Sequence, residues 1–144
     1  STVRSNEKRH HILLDKIKKI LKGKIFRKKI TFLGVTFKAN TDDMRESPSL
    51  KLIPQLHKKG ALISYYDPSG FKNDFKKYKN VNYVNKISLA CKNSDLVILH
   101  TEWNEFKNLN FKKLVKKNNF CVYDMRNLYT FNKMITKGIN YFQI

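Results

Sequence analysis

Four apolar runs constrain this chain more than any other feature: KKITFLGV (28–35), ALISYYDP (61–68), SDLVILHT (94–101) and NFCVYDMR (119–126). They are rich in β-branched and aromatic side chains, and the unbroken apolar centre of SDLVILHT suits a strand covered on both faces. Between them the spacing turns helical. Leu50, Ile53 and Leu56, with Leu52 beside them, form a stripe that starts at Ser47-Pro48 and stops at Gly60. Ser can cap the first amides of a helix, Pro fits its first position, and Gly ends it. The strand–helix–strand spacing from 28 to 67 is that of a right-handed βαβ unit. The pattern then continues with a short strand at 81–84, a short helix at 86–93, helices at 111–117 and 130–137, and a last strand at 140–143. Upstream, His10, Leu13, Leu14, Ile17, Ile20 and Leu21 predict an amphipathic helix over roughly 6–22, with Gly23 as its stop. The expected fold is α/β: a Rossmann-like, mainly parallel sheet with helices on both faces, preceded by an N-terminal helix.

The formal net charge of +19 first points to nucleic acid. Its distribution argues against that. Of the 30 basic residues 25 are Lys, spread through nearly every segment, as on a solvated face. Residues 1–30 hold eleven basic and two acidic residues, so a basic helix over 8–29 that meets an acidic partner is the charged feature to keep. No apolar run has the length of a membrane span, and the first residues lack the apolar stretch of a signal peptide. Cys91 and Cys121 have neither metal nor redox spacing, and a reduced cytoplasm is the simplest setting. No histidine pair has metal-ligand spacing, because His10 and His11 are adjacent.

In open parallel sheets, ligands bind beyond the carboxyl ends of the strands, where strand order reverses. The candidate residues follow strands as that rule demands. Phe37 and Lys38 follow the first, Asp67 the second, Thr101-Glu102-Trp103 the strongest, and Asp124 and Arg126 the next. Lys38, Arg45 and Arg126, together with a free helix N-terminus near Ser47, would suit a diphosphate. The competing structural readings are simple: Arg45 pairs with Asp42 or Asp43, Trp103 is core, and Asp67 merely ends a strand. The five glycines form neither G-x-G-x-x-G nor a Walker loop. Neither cysteine has a nearby His, so a thiol nucleophile is unsupported. From the residues alone, the reading stops at an α/β domain with an anion-binding edge.

The stretch LGVTFKANTDDMRESPSLKLIPQLHKKGALISYYDP (33–68), followed by SDLVILHTEWNEF (94–106) and VYDMRNLY (122–129), resembles the C-terminal domain of the UDP-glucose/GDP-mannose dehydrogenases. Upstream, VRSNEKRHHILLDKIKK is similar to the end of the central helix that precedes that domain. The resemblance divides the chain into residues 1–27, the end of the linking helix, and 28–144, a UDP-sugar-binding domain. It implies that Phe37 and Lys38 contact a UDP-sugar, and that Arg126, in D-x-R-N, binds substrate and reaches toward a partner subunit of a homo-oligomer. It further implies that Arg45, in D-D-x-R-E-S, touches NAD. T-E-W-N-E-F is most similar to the UDP-glucose enzymes; GDP-mannose and UDP-N-acetylmannosamine dehydrogenases are the alternatives. Complete members oxidise a sugar alcohol to a carboxylate through a catalytic cysteine, with NAD held by an N-terminal domain. Neither element matches anything in this chain, which holds no catalytic residue by this comparison. The expectation is a nucleotide-sugar-binding portion of an NAD-dependent enzyme, inactive alone and partnered by an N-terminal dehydrogenase domain. The competing expectations are a non-catalytic nucleotide-binding module left by gene truncation and a charge-driven nucleic-acid binder.

Overall fold

The computed structural model describes residues 2–144, with side chains from Glu7 onward. Helix α1 (Thr2–Ile20) leads into β1 (Lys29–Leu33), α2 (Ser49–Lys58), β2 (Leu62–Tyr66), β3 (Val81–Tyr83), α3 (Ile87–Cys91), β4 (Leu96–Leu99), α4 (Phe111–Val115), β5 (Cys121–Asp124), α5 (Phe131–Thr136) and β6 (Asn140–Gln143). All six strands run parallel in one sheet of order β3-β2-β1-β4-β5-β6. The Rossmann-like α/β architecture expected from the sequence is present, and its sheet is wholly parallel.

Period-two alternation sorts the side chains into two cores. Ile30 and Phe32 of β1, with Leu96 and Ile98 of β4, pack against Leu13, Ile17 and Ile20 of α1 and Leu52, Ile53 and Leu56 of α2. The alternate residues Leu33, Val97 and Leu99 face the other way and meet α3, α4 and α5 through Ala90, Phe111, Val115 and Met134. Helix α1 therefore supplies part of a core and is more than a lead-in, with Ile17 fully buried. Thr31, the polar member of β1, is also fully buried, and its hydroxyl donates to the Ala90 carbonyl (2.5 Å). That bond satisfies a group whose burial otherwise costs. Among the described residues no helix is long and apolar enough to cross a membrane.

The start of α2 departs from expectation. Ser47 and Pro48 do begin the helix, and the Ser49 amide donates to Ser47 Oγ (3.3 Å). But the Ser47 and Ser49 hydroxyls both turn inward and donate to the Val35 carbonyl (2.5 and 2.6 Å). The Leu50 and Lys51 amides find the Ser47 and Pro48 carbonyls. The first amides of the helix expected to be free for a ligand are met by Ser47 Oγ and by the Ser47 and Pro48 carbonyls, while the two hydroxyls satisfy the buried carbonyl at the end of β1.

Candidate functional site

Strand order reverses between β1 and β4: the chain leaves β1 toward β2 on one side and β4 toward β5 on the other. The loop after Leu33 meets the loop after Leu99 there, at the switch-point crevice where open parallel sheets bind ligands. Three side chains shape it. The carboxyl group of Asp67, fully buried at the end of β2, accepts from the Val35 and Thr36 amides (2.8 and 3.3 Å) and from the Ser69 amide (2.9 Å). Thr101 Oγ1 donates to the Thr36 carbonyl (2.8 Å). Arg126, from beyond β5, donates through Nε to the His100 carbonyl (3.1 Å) and through Nη2 to the Phe37 carbonyl (2.5 Å).

Arg126 thus spans the crevice and joins three strand ends. Its Nη1 is not engaged by those carbonyls, so part of the guanidinium fork is left for an anion. Phe37 is 42% exposed, unusual for a phenylalanine so close to fully buried Val35 and Thr36. Lys38 follows it on the surface. Of the residues singled out in the sequence, the fold therefore brings Phe37, Lys38 and Arg126 together.

Arg45 behaves otherwise. Its guanidinium grips Asp43 with both Nε and Nη2 (3.0 and 2.9 Å), its side chain is 88% exposed, and it does not line the adjoining cavity. These bonds hold the Asp43 carboxyl down at about 2. The structural alternative for Arg45 is realised, with Asp43 as the partner.

That cavity, of about 480 Å³, lies between α1, the 37–48 loop and α2, and is lined by Arg9, His10, Phe37, Glu46, Pro48 and Lys51 among others. Arg9 and Lys51 add two cations beside Phe37. Their contribution was not separable in a sequence so dense in basic residues; only the local excess over residues 1–30 pointed toward Arg9.

The sequence reading passed over His100. It is 1% exposed at the end of β4, its Nδ1 meets Thr101 Oγ1 (2.9 Å), and its Nε2 has no partner. Burial first, then the charges of Arg126 and Arg9, lower its pKa to about 3, so the ring is neutral in the fold. The ordinary value is about 6.5, and between there and about 3 the unfolded chain binds a proton that the folded chain refuses. Stability is therefore expected to fall as pH drops from about 6.5 toward 3, by roughly 1 kcal/mol per pH unit from this group. Urea unfolding of His100→Asn beside the parent checks it: the variant should lose most of the excess slope in that window.

A dinucleotide cofactor is not accommodated by this crevice alone. The fold's usual means are a glycine-rich first turn, an open helix N-terminus for the pyrophosphate and an acid at the end of the second strand for the ribose. Here Gly34 is the only glycine between β1 and α2, the first α2 amides are satisfied internally, and Asp67 is consumed by Val35, Thr36 and Ser69. Neither cysteine is an activated nucleophile. Burial pushes the Cys91 thiol up to about 12, and burial raises the half-buried Cys121 as well.

Sheet order and the residues gathered at its switch point define a doubly wound, all-parallel α/β domain. The chain belongs to the UDP-glucose/GDP-mannose dehydrogenase family, whose UDP binding domain it matches over residues 31–131. It is 35% identical to a UDP-glucose 6-dehydrogenase of Rickettsia felis, a match that covers 100% of this chain and 33% of that protein. Among solved structures, an NDP-N-acetyl-D-galactosaminuronic acid dehydrogenase from Methanosarcina mazei Go1 is similar with TM-score 0.75 and 25% identity, over 94% of this chain and 28% of that one. A UDP-glucose dehydrogenase from Pyrobaculum islandicum shares the fold with TM-score 0.75 at 22% identity, over 98% of this chain and 30% of that one. The chain spans about a third of the length of the curated relatives it matches.

Proposed function

We propose that this chain is the nucleotide-sugar-binding C-terminal portion of a UDP-glucose 6-dehydrogenase. In the complete enzyme, UDP-glucose would be oxidised to UDP-glucuronate with NAD as hydride acceptor. The observation that carries this reading is Arg126 seated on the Phe37 carbonyl beside Lys38, at the point where strand order reverses. In it, Phe37 offers an exposed ring to the nucleotide, while Lys38 and Arg126 meet its phosphates or sugar. Arg45, held by Asp43 on an exposed turn, meets NAD carried by a separate N-terminal dehydrogenase domain, which supplies the catalytic nucleophile as well. With no activated thiol of its own, this portion binds and does not turn over. Residues 1–27 act as the end of the linking helix, and association with further copies would bring Arg126 to a neighbouring site.

A nucleotide sugar other than UDP-glucose is the second reading, favoured by the likeness to the Methanosarcina mazei enzyme at the same TM-score as the Pyrobaculum islandicum one. One titration separates these readings from each other and from a charge-driven nucleic-acid binder. The purified chain is titrated calorimetrically with UDP, UDP-glucose, GDP and NAD at physiological salt, beside Lys38→Ala and Arg126→Ala. Saturable UDP binding is expected, weakened in each variant by about tenfold to a hundredfold, the range for losing a charge-assisted hydrogen bond. NAD alone should not bind. A folded chain that ignores UDP, or variants that bind it as the parent does, would overturn the proposal.

A further inference from the structure

A second cavity lies away from the crevice. It lies on the opposite face of the sheet, between α4 and α5, and measures about 640 Å³, within the range of small-molecule sites. Its floor is apolar, with Phe111, Met134 and Ile139 buried. Its rim is basic: Lys107, Lys112, Lys133 and Lys137 all line it, and among the described residues no acidic side chain does.

The local charge is lopsided beyond the chain's general basicity. Residues 107–144 hold seven Lys and one Arg against a single acid, Asp124. That acid is fully buried and committed to Tyr141 Oη and to the Arg126 and Tyr129 amides. It is not free to neutralise the rim. Two geometric facts place three of these lysines around α5. Lys133 and Lys137 stand four residues apart around α5, where like charges repel. Lys112 reaches across from α4 to the end of α5, so that a Cβ added at Gly138 would lie 3.0 Å from its Nζ. The wall between them is fixed, because Tyr129 Oη accepts from the Leu109 amide (2.8 Å) and donates to the Phe106 carbonyl.

We infer that the α4–α5 cavity, with Lys107, Lys112, Lys133 and Lys137 converging on its rim, is a second anion site for a compact polyanion of condensed phosphate. A bare polyphosphate chain and the triphosphate tail of a nucleotide share that chemistry. A recess of this size between two short helices favours such a ligand over a nucleic-acid duplex, which needs an extended surface. The site is separate from the UDP crevice and does not depend on it.

The test is amide chemical-shift mapping of the 144-residue chain at physiological salt, with sodium tripolyphosphate in one arm and ATP in the other. The parent is compared with Lys133→Ala/Lys137→Ala, Lys133→Arg/Lys137→Arg and Lys38→Ala. Saturable shifts centred on 107–112 and 128–138 are expected. Affinity should fall tenfold or more in the alanine pair and be retained in the arginine pair and in Lys38→Ala. Equal affinity in the two arms would identify the phosphate chain as the ligand, and tighter ATP binding would add a contact to the nucleoside. Shifts that fail to saturate, that spread over lysines everywhere, that centre on the Arg126 crevice, or that persist in the alanine pair would overturn the inference. Lys133 and Lys137 are exposed, so the unliganded spectrum of each variant reports directly that the fold is kept.

Discussion

Asp67→Ala is expected to cost about 2–6 kcal/mol of folding stability, a large part of the roughly 5–15 kcal/mol that holds a domain of this size. The side chain is fully buried, and it serves amides on two segments: Val35 and Thr36 after β1, and Ser69 after β2. The Ser69 hydroxyl adds a fourth bond at 2.5 Å. Truncation removes the acceptor and leaves the donors, and each buried orphan costs about 1–3 kcal/mol. Ser69, next to a surface turn, can recover with water, whereas Val35 and Thr36 are fully buried. Those two therefore set the lower bound. Asp67→Asn should fall between, because its carbonyl oxygen can still accept while its amide nitrogen meets donors with a donor. Urea unfolding measures both variants. The midpoint should drop with an unchanged m value, and a loss under about 1 kcal/mol would mean that water replaces the carboxyl group. UDP affinity should fall as well, because Phe37 and Lys38 continue the segment that Asp67 pins.

Asp67 also marks the limit of what the sequence carried. The parallel sheet was legible because the runs around Ile30, Ile63, Val97 and Val122 are apolar and those around Ile30, Val97 and Val122 are each followed by a helix, a pattern that few other folds satisfy. The Ser47-Pro48 start of α2 was legible too, being decided within a few residues, and the pairing of Arg45 was legible only as an alternative, with Asp42 or Asp43 as the partner. What sequence could not supply is contact between distant segments. Asp67 was visible as the end of a strand but not as a clamp on Val35, 32 positions away. Ser47 was visible as a cap but not as a donor to the Val35 carbonyl, 12 positions away. Phe37 and Arg126 were both singled out, yet their meeting across 89 positions needs the order of β1, β4 and β5. Arg9 and Lys51 were hidden by their own abundance. In a chain with 30 basic residues, a cation carries information only once its neighbours are known.

Gly34→Ala should destabilise the fold by about 2–5 kcal/mol, and the reason separates cleanly into two parts. Gly34 has φ +81°, where an L residue costs about 1–2 kcal/mol. It also sits where β1 ends against the loop that follows β4. An added Cβ would lie 2.5 Å from Thr101 Cβ, 2.6 Å from its Oγ1 and 3.1 Å from its backbone nitrogen. Thr101 cannot step aside cheaply: it is fully buried, and its Oγ1 bonds both the Thr36 carbonyl and His100 Nδ1. Relieving the overlap means moving a packed, β-branched residue, with an overpacking cost of about 1–3 kcal/mol. Gly70 supplies the control. Its φ is +98°, but nothing lies within 4 Å of an added Cβ, so Gly70→Ala bears the conformational cost alone. The difference between the two variants in urea unfolding isolates the close approach of the β1 and β4 loops. If the two lose equal stability, the loops are not in contact at Gly34, and the crevice between them is wider than the hydrogen bonds of Thr101 and Arg126 require. If Gly34→Ala loses more, as expected, its UDP affinity should fall too, because displacing Thr101 pulls on the Thr36 carbonyl next to Phe37. Gly70→Ala should bind UDP as the parent does.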